Sequence, residues 1–107
     1  MRYLFLDFET TWLDPVRDDP IQVWIIVFDG QWNIVDSFES LIRPSEHKKE
    51  LKPVVATIVG LHFDLLESAP DKQQISLKIR KYFTENSILI GHNVAFDKSI
   101  MKHHFFD

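Results

Sequence analysis

Asp7 and Glu9 stand one residue apart in the apolar run Tyr3-Leu4-Phe5-Leu6-Asp7-Phe8-Glu9-Thr10-Thr11. Along a strand, alternation puts Phe5, Asp7 and Glu9 on one face and Leu4, Leu6 and Phe8 on the other. Side chains at i and i+2 sit about 7 Å apart at the Cα level. That is close enough for both carboxylates to hold one divalent ion or a pair. Two acids in so apolar a strand repel each other and lose hydration unless a cation compensates them. The same stretch also reads as a strand end at which both acids reach water. These residues alone leave the two readings open.

A third acid, Asp97, closes the segment Gly91-His92-Asn93-Val94-Ala95-Phe96-Asp97. The short apolar run from Ser87 to Gly91 predicts an interior strand covered on both faces. Ala95 to Met101 is helical in pattern, so Asp97 lies about one turn into a helix that rises from the strand's end. In an open α/β sheet, ligands bind in that crevice.

The elements that must position these acids follow in order. Trp12 to Pro20 is polar and proline-punctuated, hence a loop. Its Asp14, Asp18 and Asp19 do not have calcium-loop spacing and are expected to form a solvated turn. Ile21 to Phe28 is β-branched and aromatic, Asp29-Gly30 is a hairpin signal, and Trp32 to Ile42 is the return strand. The first three strands thus read as an antiparallel meander. Ser45 to Lys52 is a charged, solvated connection. Pro53 suits a first helical position, Val54 to Val59 a short helix, and Gly60 its stop. Asp64 can cap a brief turn around Leu65 and Leu66. Asp71 can cap a longer helix whose Ile75, Ile79, Tyr82 and Phe83 form one buried stripe.

The chain has 107 residues, 45% hydrophobic, with a net charge of −4 and no cysteine. That is one domain at most, with a modest core. The negative charge argues against loose electrostatic binding of nucleic acid. It does not exclude a nucleic-acid enzyme, because bound metal ions neutralise an acidic pocket locally. Without cysteine there is neither a disulfide framework nor a thiolate zinc site. No segment is apolar for long enough to span a bilayer, and the start reads as a strand, not a signal peptide. The expected location is the cytoplasm.

Together, Asp7-Phe8-Glu9-Thr10-Thr11 and Gly91-His92-Asn93-Val94-Ala95-Phe96-Asp97 resemble the DEDD exonucleases. The likeness is to the DnaQ-like branch, which includes the proofreading subunit of bacterial replicative polymerase and ribonuclease T. Leu41-Ile42-Arg43-Pro44, Val59-Gly60-Leu61 and Ala69-Pro70 match its landmarks between the motifs. The resemblance implies an α/β fold of ribonuclease H-like type. In it, the meander is extended by Ser87 to Gly91 parallel to the first strand, with helices packed on this mixed sheet. It implies a single, partial exonuclease domain over residues 1–107, truncated at the C-terminus. The implied activity is metal-dependent 3′→5′ removal of nucleotides from DNA or RNA, with two Mg²⁺ or Mn²⁺ ions in a complete site.

Carried over from the family, Asp7 would bridge both ions, Glu9 would ligate the one that binds the attacking water, and Asp97 would hold the other. Thr10 and Asn93 match positions that touch the substrate strand, with turn and cap hydrogen bonding as the alternative. Leu13 matches a residue that wedges against terminal bases, and Trp12 beside it could stack on an unpaired 3′ base or cover the sheet edge. His92 and Phe96 match the motif and are expected to be structural. The implied partner is the 3′ end of a single strand, with a polymerase or a second copy of the chain as further partners, and no membrane.

The chain departs from the family pattern in two ways. The third motif, a His base with a final Asp, has no counterpart by position. His47, His62, His103 and Asp107 are poorly placed for it. Trp12 stands where the family commonly has glycine. A non-catalytic nucleic-acid-binding or scaffold module of the same fold, and a phosphoesterase completed by a partner chain, are the competing functions.

Overall fold

The computed structural model describes residues 1–11, 14–15, 18–44 and 63–105. The expectations for Trp12, Leu13, His47, Pro53, Val54 to Val59, Gly60, His62 and Asp107 lie outside the described residues. Four strands, β1 (Arg2–Thr10), β2 (Pro20–Phe28), β3 (Ile34–Leu41) and β4 (Ser87–Ile90), form one sheet in the order β3-β2-β1-β4. β1 pairs antiparallel with β2 and parallel with β4, and β2 pairs antiparallel with β3. The meander and the parallel addition both stand as the sequence predicts.

Leu4, Leu6 and Phe8 of β1 are buried with Val23, Ile25 and Val27 of β2. Ile75, Ile79 and Tyr82 pack on that layer, as do Ile100 and Met101. Removing each such side chain from water contributes roughly 1.5–3 kcal/mol, which fixes the register of β1. A slip of one residue would carry Asp7 and Glu9 into this core.

Three α-helices are described: α1 (Phe63–Glu67), α2 (Lys72–Ile79) and α3 (Val94–Ile100). Asp71 caps α2 as expected, accepting from the Gln74 amide at 2.8 Å. The Gln74 side chain returns a bond to the Asp71 amide at 2.9 Å. A 3₁₀ turn, Arg80–Tyr82, follows α2, so Tyr82 is buried beyond the helix proper and Phe83 is half-buried against the core. α1 starts at Phe63, which places Asp64 within the turn and not ahead of it. α3 runs on through a π-helical turn, Met101–Phe105, in which His103 is exposed as expected. No helix among the described residues is long and apolar enough to cross a membrane.

Three expectations need correction. The return strand begins at Ile34, because Asp29 to Asn33 closes a longer turn. The Asp29 carboxylate accepts from the Gln31 and Asn33 amides at 2.8 and 3.0 Å. Within that turn Trp32, not Gly30, takes the left-handed conformation (φ 65°), and its ring stacks on Tyr3 with centroids 4.3 Å apart. β4 is not covered on both faces: Leu89 packs on the core, but Ile88 is 41% exposed. Ile88 pairs with Tyr3 and so shares the face opposite the core. Nor is the Asp14–Asp19 turn wholly solvated, since Asp19 is buried and ion-paired to Lys72 at 3.4 Å.

Candidate active site

The face of β1 that the core leaves free carries Phe5, Asp7 and Glu9, all half-buried. Asp7 stands across from Trp24 of β2, and Glu9 from Gln22. Both acids thus emerge from the ladder on the face the alternation predicts. Immediately after Glu9 the register shifts, and Thr10 pairs with Pro20. The extra residue is Ile21 of β2, so the bend falls on that strand, opposite the end of β1.

Asp97 reaches this strand from α3. β4 pairs with β1 only as far as Phe5, so the parallel ladder stops short of Phe8. The Asp97 carboxylate accepts the Phe8 amide at 3.0 Å. A buried N–H without a partner would be expensive, and Asp97 supplies the partner. Phe105, beyond α3, stacks on the Phe8 ring at 5.4 Å and holds the same junction from the core side. Asn93 caps α3 by accepting from the Phe96 amide at 3.3 Å, and Phe96 packs against the core.

Gly91 makes the approach possible. A Cβ there would lie 3.0 Å from the Leu6 carbonyl oxygen and 3.9 Å from Oδ2 of Asp97. Any side chain would press β4's end away from β1 at the level of the acids. The motif Gly91-His92-Asn93 therefore holds a spacer, a neighbour of Asp7 and a helix cap in three consecutive residues.

The electrostatics of the group run against ionisation. Burial pushes Asp97 up to about 6, opposed by the Phe8 hydrogen bond and reinforced by the charges of Asp7 and Glu9. Burial also raises Asp7, with His92 acting in the opposite direction. Glu9 is raised by burial and then by Asp7. Three oxygen ligands whose charged forms are disfavoured by burial and by one another suit a hard divalent cation. As they stand, the described residues include no group of three His, Cys, Asp or Glu side chains placed so that it could hold a metal ion. Asp97 spends one oxygen on Phe8, whereas Asp7 and Glu9 rise from the sheet face.

The structure therefore gathers Asp7, Glu9 and Asp97, with Asn93 and Phe96 at the helix start. Thr10 is buried at the strand end. The part that sequence reasoning undervalued is His92, an exposed residue whose charge bears on Asp7. Its position directly between strand and helix was the available signal.

The RNase_T family model, described as exonuclease, matches residues 4–107. The chain is 36% identical over 103 residues to the PolC-type DNA polymerase III of Thermotoga petrophila, covering 94% of this chain and 7% of that protein. It is 30% identical over 105 residues to the 3′-5′ exonuclease DinG of Staphylococcus aureus, covering 98% of this chain and 11% of that one. E. coli exonuclease I in complex with a dT13 oligonucleotide has the same fold, with a TM-score of 0.83 at 22% identity over 99% of this chain and 24% of that chain. The sheet is accordingly ribonuclease H-like, and the chain spans only a small part of each of these proteins. The chain belongs to the exonuclease family, in its DnaQ-like DEDD branch.

Proposed function

We infer that this domain removes nucleotides from the 3′ end of single-stranded DNA or RNA, with Asp7, Glu9 and Asp97 as ligands for Mg²⁺ or Mn²⁺. The observation that carries the reading is Asp97, a buried carboxylate tied to the Phe8 amide with two further acids as its charged neighbours. Divalent ions at such a site supply charge stabilisation to the attacking and leaving oxygens of an in-line displacement. The chain's own residues do the positioning. Asp7 and Glu9 present their oxygens from a strand that the core holds in register. Asp97 joins helix to strand, and Asn93 fixes the first turn of α3. His92 favours the charged form of Asp7 beside it.

Thr10, Trp12, Leu13, Asn93 and Phe96 are the proposed contacts for the substrate strand. Stacking of Trp12 on a terminal base would be worth about 1–3 kcal/mol. E. coli exonuclease I in complex with an oligonucleotide supports a single strand as substrate, and the PolC-type relative supports work beside a polymerase. The proposed setting is the cytoplasm.

The test is release of mononucleotides from 5′-labelled DNA and RNA oligonucleotides with Mn²⁺, Mg²⁺ or EDTA. Metal-dependent shortening from the 3′ end, lost in Asp7→Ala, is expected. Mn²⁺ binding that is identical in wild type and Asp7→Ala would refute the site.

A further inference from the structure

We propose that Asp19, through Thr11 and Lys72, is a positioning residue that holds the end of β1 where it faces the irregularity of β2, and thereby aims Glu9. The proposal rests on the metal-site reading above and adds Asp19 and Lys72, which neither motif contains.

Glu9 is in the last regular pair of the β1–β2 ladder, and the register breaks between it and Thr10. The extra residue is Ile21 of β2, so the ladder is disrupted just beyond Glu9 and the end of β1 depends on what holds it from outside the sheet. Here the fixing is extensive. The Thr11 amide donates to the Asp19 carbonyl at 2.9 Å. The Asp19 amide donates back to the Thr11 hydroxyl oxygen at 3.1 Å. That hydroxyl in turn donates to the Asp18 carboxylate at 3.4 Å, whose other oxygen accepts the Asp14 amide at 2.8 Å. Thr11 and Asp19 are both buried, at 5% and 3% exposure. The two ends of the 11–19 segment are thus clasped directly behind Glu9.

Lys72 ties the clasp to the body of the domain. It is the first residue of α2 and reaches the Asp19 carboxylate at 3.4 Å. A cation at a helix N-terminus opposes the helix dipole, and Asp19 offsets that conflict. A residue placed against its helical preference points to a requirement elsewhere, in this case at the strand end. Asp7 and Asp97 need no such support. Asp7 lies in regular pairing with Trp24, and Asp97 is anchored on Phe8. The clasp therefore acts on Glu9 and leaves the other two acids where they are.

The experiment is a double-mutant cycle on Mn²⁺ affinity, read by calorimetry at a temperature where every variant is folded. Asp19→Asn removes the charge facing Lys72, and Thr11→Val removes the hydroxyl that accepts the Asp19 amide. Each should weaken binding roughly 3-fold, less than the ~10-fold or more that follows loss of a support bonded directly to a metal ligand. In a Glu9→Asp background, where the reach of that side chain is already altered, Asp19→Asn should add little. An equal fold-loss in both backgrounds, or none in wild type, overturns the proposal. Should Asp19→Asn fail to fold, Thr11→Val carries the same cycle.

A metal-free arm stands independently. By NMR, the Glu9 side-chain signals should shift in the Asp19 or Thr11 variant, and the Thr10 and Thr11 amides should exchange faster, with Phe8 unchanged. If Glu9, Thr10 and Thr11 stay as in wild type, or if exchange rises uniformly along β1, the proposal is overturned whatever the metal does. Failure of the metal-site reading has a different signature: Asp7→Ala leaves Mn²⁺ binding intact.

Discussion

Asp19 and Asp97 are two buried carboxylates in one small domain, 3% and 4% exposed, and they are treated in opposite ways. Asp19 faces the ammonium of Lys72 at 3.4 Å. Asp97 faces the Phe8 amide, and its charged neighbours are Asp7 and Glu9. A protein that places a lysine on one buried acid and gathers further acids around another is not short of cations. The difference is between a carboxylate with a cation beside it and one whose charged neighbours oppose its ionisation.

The largest effect should come from Asp7→Ala, which removes the acid next to both other carboxylates. Calorimetric Mn²⁺ binding is expected to fall below detection. If Asp19 were the true metal ligand, that substitution would leave binding almost unaltered, and the contrast between the two carboxylates would collapse.

Lys72→Met sharpens the other side of the comparison. Loss of the ammonium from a buried carboxylate should destabilise the domain by about 1–3 kcal/mol in denaturant melts at neutral pH. No gain in Mn²⁺ affinity is expected. Tight Mn²⁺ binding at the vacated position would show that the two acids differ only in their neighbours.

Asp97→Asn should have the reverse sign. Its folded carboxyl, at about 6, holds a proton more firmly than in the unfolded chain. Wild-type stability therefore falls as pH rises from the ordinary carboxylate value through about 6, and remains lower above it. At pH 7.5 without metal, Asp97→Asn should be more stable than wild type by roughly 1–3 kcal/mol. The gap should close as pH drops towards 4, and Mg²⁺ should narrow it from the other side. A destabilised Asp97→Asn at pH 7.5 would mean that the charge is already compensated in the apo chain.

The smallest effect belongs to Asp29, an exposed acid lowered by the Asn33 and Gln31 amides. Its contribution is present above the unfolded carboxylate value and is lost as pH falls through the folded one. Asp29→Ala should shift the melting temperature only slightly and abolish that acid-side dependence. This exposed turn is the baseline against which the buried pair is judged.

Much of this was legible in the residues. Strict alternation in β1 separated core from acids, and the capping residue Asp71 located the start of α2. The sheet order followed once Ser87 to Ile90 was placed parallel to β1. What failed did so for tertiary reasons. Asp14, Asp18 and Asp19 look alike in a polar loop, and only the approach of α2 makes Asp19 a buried ion pair. Ile88 looks interior because it sits in an apolar run, but its side chain stands on the sheet face opposite the core. The Phe8 amide as the seat of Asp97 depends on where the parallel ladder stops, which no local pattern records.

The stack of Trp32 on Tyr3 gives the molecule a built-in optical reporter. Two aromatic rings held 4.3 Å apart and 19° from parallel form a fixed chromophore pair, and Trp32 is in addition edge-on to Phe28 at 5.9 Å. A near-ultraviolet circular dichroism band from this pair exists only while the hairpin is docked on the first strand, because such bands need fixed tertiary packing. Tyr3 and Glu9 lie near opposite ends of β1. Light absorbed at one end can follow unfolding while calorimetry at the other follows ions, so the two processes can be read separately in one tube.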